Sequence, residues 1–413
     1  MSKLKRVAWV VPVAVLAVGA GAAAKDVLDV GIAEWYETAS INYWTTDVIP
    51  AFKKLHPDMD VNVHKISWGA DKLTAQYIAG SAPDVVQFGG DKFGSFLPML
   101  EPLSDYMKSK PIDNIADLAP GALQAVAKAG VQYGIPYNLD ARTLIYRKSL
   151  FEGAGLDPNK GPDTWDDLVN YAQKLVKRDA GGKITTEGLH FEAYWFNFGS
   201  WMFAAGGRYV SNDLTHSTFN SPEVKDAIQF GRDLNHVYNV TVKDGQDFDT
   251  GKVAMTIESA GAVADPAKAA DIGVPLPPKR GDHPRTAMTA ADSWGMINTS
   301  KHKQAAWDWI RLCMEAQYEA GIARTAGILP TRLSLANQAP WNTEGLHGFF
   351  QAASMSQGFN GAAPGFENIV HDVVTPTLES IVYGDGVITD LDAASAKIDG
   401  LLKDAAEKMH IKQ

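Results

Sequence analysis

Apolar and polar positions along the first hundred residues fall into two alternating rhythms. Residues 27–33 form a short strand-like apolar run that ends at Glu34-Trp35-Tyr36, and residues 41–55 then carry helical spacing with Pro50 inside it. Val61-Asn-Val-His-Lys-Ile66 alternates with a period of two, residues 73–79 return to helical spacing, and Asp84-Val-Val-Gln-Phe88 is again strand-like. This β-α-β-α-β order predicts a mostly parallel sheet covered by helices. Ligands of such sheets sit outside the carboxyl ends of the strands, which directs attention to residues 34–36, 67–71 and 89–93.

A second block with the same grammar follows Tyr133-Gly-Ile-Pro-Tyr-Asn-Leu-Asp140. Residues 143–146 read as a strand, 165–178 and 222–238 as amphipathic helices, and 253–257 as a buried strand. Thr164-Trp-Asp-Asp167 resembles a capping box with Asp in the place of Glu. Residues 272–285, rich in proline, glycine and charge, read as a segment crossing between blocks, and 296–298 as a short apolar run. Helical spacing resumes at 304–316 and 391–408, and no repeat of fixed period is present.

The N-terminus adds a different pattern. Met1-Ser-Lys-Leu-Lys-Arg6 is basic, an apolar stretch runs from Val7 to about Ala20, and Ala22-Ala23-Ala24 precedes Lys25-Asp26. This is the order of a secretory signal peptide over residues 1–24, and Pro12, Gly19 and Gly21 weaken the alternative of a membrane anchor. The single cysteine, Cys313, rules out a disulfide within the chain, and no cysteine follows the leader to carry a lipid. A free periplasmic protein is the expectation.

At 413 residues the chain is longer than one core accommodates, so two domains with a cleft between them are expected. Loss of residues 1–24 removes Lys3, Lys5 and Arg6 and moves the formal charge from −10 to −13, 35 basic against 48 acidic side chains. That balance argues against nucleic acid and anionic membranes as partners.

Several segments resemble the family-1 extracellular solute-binding proteins, the sugar receptors of ABC importers that include the maltose-binding type. They are Ile49-Pro-Ala-Phe-Lys-Lys-Leu-His-Pro57, Gly80-Ser-Ala-Pro-Asp-Val-Val-Gln-Phe88, Leu100-Glu-Pro-Leu-Ser104, Tyr133-Gly-Ile-Pro-Tyr-Asn138 and Ile145-Tyr-Arg-Lys-Ser-Leu-Phe-Glu-Gly-Ala-Gly-Leu156. Asp163-Thr-Trp-Asp-Asp-Leu168, Phe248-Asp-Thr-Gly-Lys-Val-Ala-Met255 and Gly327-Ile-Leu-Pro-Thr-Arg332 extend the likeness over nearly the whole mature chain. The resemblance implies an α/β, two-lobed periplasmic-binding-protein fold of type II, each lobe a central sheet flanked by helices, with a multi-crossing hinge. It also implies that residues 25–138 plus 286–333 form the N-terminal lobe and 139–285 plus 334–413 the C-terminal lobe.

A sugar site needs aromatic rings for stacking and charged or amide groups for hydrogen bonds to hydroxyls. Of the 11 tryptophans, Trp35, Trp44, Trp68, Trp195 and Trp294 fall in or beside loops and strand ends, whereas Trp165, Trp307 and Trp309 lie on helical patterns and are assigned to cores, as is Trp44. The candidate ligand-binding residues are Glu34, Trp35, Tyr36, Trp68, Asp91, Asn138, Asp140, Trp195, Glu258, Asp292 and Trp294. Asn138 and Asp140 are favoured because their segment resembles the family's first crossing. Arg142, Arg324 and Arg332 could pair with cleft carboxylates or meet an anionic substituent such as a uronate or phosphate, and are read first as structural.

The function implied is capture of a carbohydrate by hinge closure and delivery to an ABC permease, by a monomer without enzyme activity, cofactor or metal. The ten histidines show no ligand spacing, and the chain lacks a Gly-x-Ser-x-Gly elbow, a His-Glu-x-x-His helix, a phosphate loop and a Cys-x-x-Cys pair. An exported glycosidase would use a similar cleft with paired carboxylates. The same fold with a glycerol phosphodiester or polyamine ligand is the other alternative.

Overall fold

The computed structural model describes residues 25–411 apart from Trp68, Asp244 and Gln246. The leader at 1–24 and the candidate Trp68 lie outside the described residues.

Eight strands form one sheet: β1 (Asp26–Ala33), β2 (Met59–Ile66), β3 (Val85–Gly89), β4 (Gly134–Arg147), β5 (Met255–Glu258), β6 (Ile272–Gly273), β7 (Met288–Met296) and β8 (Gln357–Gly358). The path is β6-β4-β7-β3-β1-β2, with β5 paired to β4 and β8 to β7. As the strand-helix alternation predicts, β1 runs parallel to both β2 and β3. β7 is antiparallel to β3 and to β4, so the sheet is mixed beyond its first three strands.

Two strands are longer than their sequence patterns. The runs ending at Asp140 and beginning at Thr143 belong to one 14-residue strand, roughly 45 Å of chain. Pro136 interrupts the reading because it removes a ladder donor. The ladder absorbs it with a shift of register at Asp292 and Ser293, where Asp292 faces Asn138 and Ser293 faces Pro136, leaving Tyr137 as the extra residue of a bulge. Likewise Met296, the first residue of the apolar run at 296–298, is the last residue of β7.

The crossing expected at 272–285 is corrected. Ile272 and Gly273 pair with Arg147 and Tyr146, and the following segment stays on the second half of the molecule: Lys279 N donates to Asp163 O at 2.9 Å and Arg280 is ion-paired with Asp226. Proline and glycine there mark a surface strap, and β7 itself makes the crossing.

Pro50 also has a local effect. The helical stretch consists of Thr38–Tyr43, a π-helical turn at Trp44–Val48, and Ile49–Leu55, with Pro50 in the first turn of the last piece. Proline has no N–H to return to a preceding carbonyl, and the widened turn lies directly ahead of it. The longer helices are α1 (Ala70–Ile78), α2 (Trp165–Leu175), α3 (Trp195–Ala204), α4 (Pro222–His236), α5 (Lys303–Cys313), α6 (Ala316–Ala326), α7 (Glu344–Ser354), α8 (Thr375–Tyr383) and α9 (Asp390–Ile411). The capping box at α2 forms: Thr164 Oγ1 accepts from Asp167 N, and Asp167 Oδ2 accepts from Thr164 N, both at 3.1 Å.

Hydrophobic burial divides around the two long strands. One core gathers Leu28, Ile32, Trp44, Phe52, Trp294, Trp307 and Trp309. The other gathers Leu144, Trp165, Trp201, Phe230, Ile381 and Leu391. Where they meet, Leu139, Ala141, Ile145, Leu329 and Phe349 form a smaller cluster. A third stretch of chain reinforces this junction: Leu139 N donates to Leu329 O, and Thr331 Oγ1 to Pro136 O, each at 2.9 Å. Behind it Glu319 accepts from Thr331 N at 2.6 Å and faces Arg332 Nε at 3.2 Å, with Arg332 almost fully buried. No helix among the described residues is long and apolar enough to cross a membrane.

Candidate functional site

The carboxyl ends of β1 and β3 open toward the same region as the middle of β4 and β7. Gln87 on β3 fixes the first of these ends, since its Oε1 accepts from Ala33 N at 2.9 Å and its Nε2 donates to the Tyr36 hydroxyl at 3.3 Å. Tyr36 is thereby enclosed, at 1% exposure, while Trp35 stacks on its ring at 4.3 Å between centroids and stays 38% exposed. Glu34 beside them is exposed.

The floor is polar. Asn138 on β4 donates its Nδ2 to Asp292 Oδ2 on β7 at 2.7 Å, an arrangement the bulge sets by placing the two residues opposite each other. The Asp292 carboxyl is pushed up to about 7, chiefly because it is shut away from water, with the charges of Asp140 and Asp91 adding to the shift against the Asn138 hydrogen bond. Asp91, one residue past the end of the β3 turn, is also held above the usual carboxylate range by burial, partly offset by Lys92.

Arg142 ties this floor to the second half of the molecule. Its Nε lies 3.0 Å from Asp140 Oδ1, Nη1 lies 3.9 Å from Glu258 Oε2 at the end of β5, and Nη1 donates to Asn197 Oδ1 of α3 at 3.4 Å. Its guanidinium sits 4.7 Å from the centroid of the Phe196 ring. Asn197 in turn donates to Glu192 and to Ile257 O. Burial raises the Glu258 carboxyl above its ordinary value, with Arg142 pulling the other way. On the opposite rim Lys92 bridges to Glu367 Oε1 at 2.8 Å, and Gly94 N donates to Gly361 O at 2.7 Å.

Of the residues expected from sequence, Asp91, Asn138, Asp140, Glu258 and Asp292 come together here, with Trp35 at the edge. Two tryptophans do not offer the open ring face that stacking needs. Trp294 is fully enclosed in the first core, 5.5 Å from Trp44 and 5.3 Å from Tyr137. Trp195 is 2% exposed among Tyr209, Phe359, Phe366 and His371, and its indole Nε1 is buried without an acceptor. Their loop-side reading fails for a simple reason, since Trp294 is inside β7 and Trp195 opens α3 with its ring turned into the second core. Sequence reasoning left out Lys92, Glu192, Phe196 and Asn197 and placed Arg142 among structural cations. The only signal for the three on α3 and before it was the aromatic run Tyr194-Trp-Phe-Asn-Phe198. Among the described residues no group of His, Cys, Asp and Glu has the arrangement of a metal centre.

Comparison with known proteins bears on this site. Residues 35–320 match the family described as bacterial extracellular solute-binding protein. The diacetylchitobiose binding protein DasA of Streptomyces coelicolor is 23% identical over 317 residues, 72% of each chain. The sn-glycerol-3-phosphate-binding periplasmic protein UgpB of Pectobacterium atrosepticum is 28% identical over 231 residues, 52% of each. In three dimensions the sugar-binding protein MalE of Xanthomonas citri superposes with a TM-score of 0.78 at 21% identity, over 94% of this chain and 99% of that one.

Proposed function

The chain belongs to the bacterial extracellular solute-binding family, and on that basis we propose that it is the receptor of an ABC importer, closing two lobes on a carbohydrate and releasing it to a membrane permease. The observation that carries this reading is the floor built from Asn138, Asp140, Arg142, Glu258 and Asp292, in which strands shared by both lobes present amide, guanidinium and carboxylate groups near Tyr36, on which the exposed Trp35 ring stacks. Such groups suit hydroxyls, which both donate and accept, and the ring suits a C–H face.

On this reading residues 25–138 plus 286–333 form one lobe and 139–285 plus 334–413 the other, and the two hydrophobic cores on either side of β4 and β7 support that division. A ligand touching both lobes stabilises the closed form by its differential contacts, so capture needs no bond chemistry. The protein acts as a monomer in the periplasm, exported through the leader at 1–24, and hands its load to the permease. Relatives named for diacetylchitobiose support a sugar, and the relative named for sn-glycerol-3-phosphate favours a second reading, a glycerol phosphate ligand in the same cleft.

A thermal-shift screen of residues 25–413 against saccharides, polyols, glycerol phosphodiesters and polyamines tests the proposal. At a hundred times its Kd, a ligand specific to the folded form adds about 2.7 kcal/mol of stability. A shift confined to one saccharide class supports the sugar receptor. A shift with glycerol phosphodiesters alone moves the assignment to the second reading, and sugar cleavage in the same wells overturns the transport role.

A further inference from the structure

Each permanent cation of the cleft is already occupied by a carboxylate of the protein. Arg142 serves Asp140 at 3.0 Å and Glu258 at 3.9 Å, and Lys92 serves Glu367 at 2.8 Å and Asp91 at 3.8 Å. His190, behind the wall that carries Glu192, is bonded to Glu187 at 3.0 Å. The remaining charge is acidic: Asp91, Asp140, Glu192, Glu258, Asp292 and Glu367 stand against Arg142 and Lys92. Among the described residues Asp292 has a single amide donor and no cation within ion-pairing distance. An anionic ligand would bring its charge into a poorly hydrated space facing like charge, with no free guanidinium or ammonium to receive it. The site thus lacks donors from a ligand at its carboxylates.

Resting on the carbohydrate-receptor reading, we infer that the cleft selects by charge: it takes a saccharide bearing a basic amino group in preference to the neutral parent sugar and excludes saccharides or glycerol esters bearing carboxylate or phosphate. The ammonium sits against Asp292 and Asp91, where it supplies the counter-charge the floor lacks and three N–H donors that a hydroxyl cannot match. Neutral hydroxyls bind the same carboxylates more weakly. Asp91 and Asp292 are accordingly the residues that set specificity, and Arg142 holds Asp140 and Glu258 in place.

The test takes the neutral saccharide giving the largest response in the thermal-shift screen and compares it by calorimetry, at pH 7 and low salt, with its 2-amino-2-deoxy derivative, its uronic acid and a glycerol phosphodiester. The expected ranking is the amine at least ten-fold tighter than the neutral sugar and both anions at least ten-fold weaker, with the spread narrowing in 0.5 M salt as screening shortens the reach of the carboxylates. The Asp91→Asn, Asp292→Asn double variant is expected to bring amine and neutral sugar within about two-fold of each other. Should that variant not fold, the ranking on the unaltered chain decides alone. An anion binding as well as the neutral sugar, or an amine binding no better than it, overturns the charge rule and leaves the receptor reading standing. Absence of binding by saccharides of every charge overturns the receptor reading itself.

Discussion

Replacing Asp292 by Asn tests the electrostatics of the floor without any ligand. Asn retains an oxygen to accept from Asn138 and occupies almost the same volume, so the perturbation is the loss of a titrating charge. In the folded chain the Asp292 carboxyl is pushed up to about 7, well above the ordinary aspartate value of about 4, above all by burial and then by Asp140 and Asp91. Below about pH 4 folded and unfolded chains both hold the proton, and Asp292 contributes no pH dependence. Between about 4 and 7 the unfolded chain has released a proton that the folded chain keeps, so stability falls as pH rises, and above 7 the full penalty is present. Each pKa unit is worth about 1.4 kcal/mol, which gives roughly 4 kcal/mol at most. Water reaching the cleft from its open side reduces this to about 2–4 kcal/mol.

Because β4 and β7 thread both hydrophobic cores, unfolding of either half exposes Asp292 and reports on it. Urea denaturation followed by tryptophan fluorescence, on residues 25–413 and on the Asp292→Asn variant, supplies the measurement at pH 4.5 and pH 8. The variant should be more stable by about 2–4 kcal/mol at pH 8 and by little at pH 4.5. Titrating groups that do not interact with Asp292 cancel in the difference. Parallel pH profiles for the two proteins, within about 0.5 kcal/mol, would refute a buried, proton-retaining Asp292.

Trp35→Ala should raise the Kd of the sugar about ten-fold by calorimetry with a far smaller loss of Tm than a core tryptophan would show, since the ring is 38% exposed and stacks on Tyr36. Trp294→Ala should do the reverse and lower stability by about 3–5 kcal/mol in urea denaturation, because the indole is fully enclosed between Trp44 and Tyr137. Arg332→Met should cost about 3–5 kcal/mol by the same assay, as it strands Glu319 and removes the donors to Met314 O and Asp113 O at the junction of the lobes.

Strand and helix positions were legible wherever one period ran unbroken. The parallel start of the sheet, the helices near 165–175 and 222–236, and the Thr164 capping box follow from local pattern. The two elements that build the cleft were read only in fragments. Pro136 and the polar residues Asn138 and Asp140 break the apolar alternation of β4, and both features have tertiary causes: the proline is absorbed by a bulge of β4 at Tyr137 against β7, and the polar side chains face an opening. Strand length was therefore hidden by the same residues that make the site.

The candidate site divides along a similar line. Asp91, Asn138, Asp140, Glu258 and Asp292 were singled out because they follow or terminate strand-like runs, and the structure brings them together, Asn138, Asp140 and Asp292 from within β4 and β7. A tryptophan in the same surroundings is served equally well by a core, and Trp195 and Trp294 went there because their rings are too large to leave half-wet when a cavity of matching aromatics adjoins them. Arg142 is harder still, since Asn197 and Glu258 that define its role are 55 and 116 residues away along the chain. A chain-wide charge of −10 says nothing about whether any one cation is free. Only the pairing of Arg142 and Lys92 with carboxylates of the protein leaves the floor acidic, and the proposed charge rule rests on that pairing more than on the identity of any single candidate.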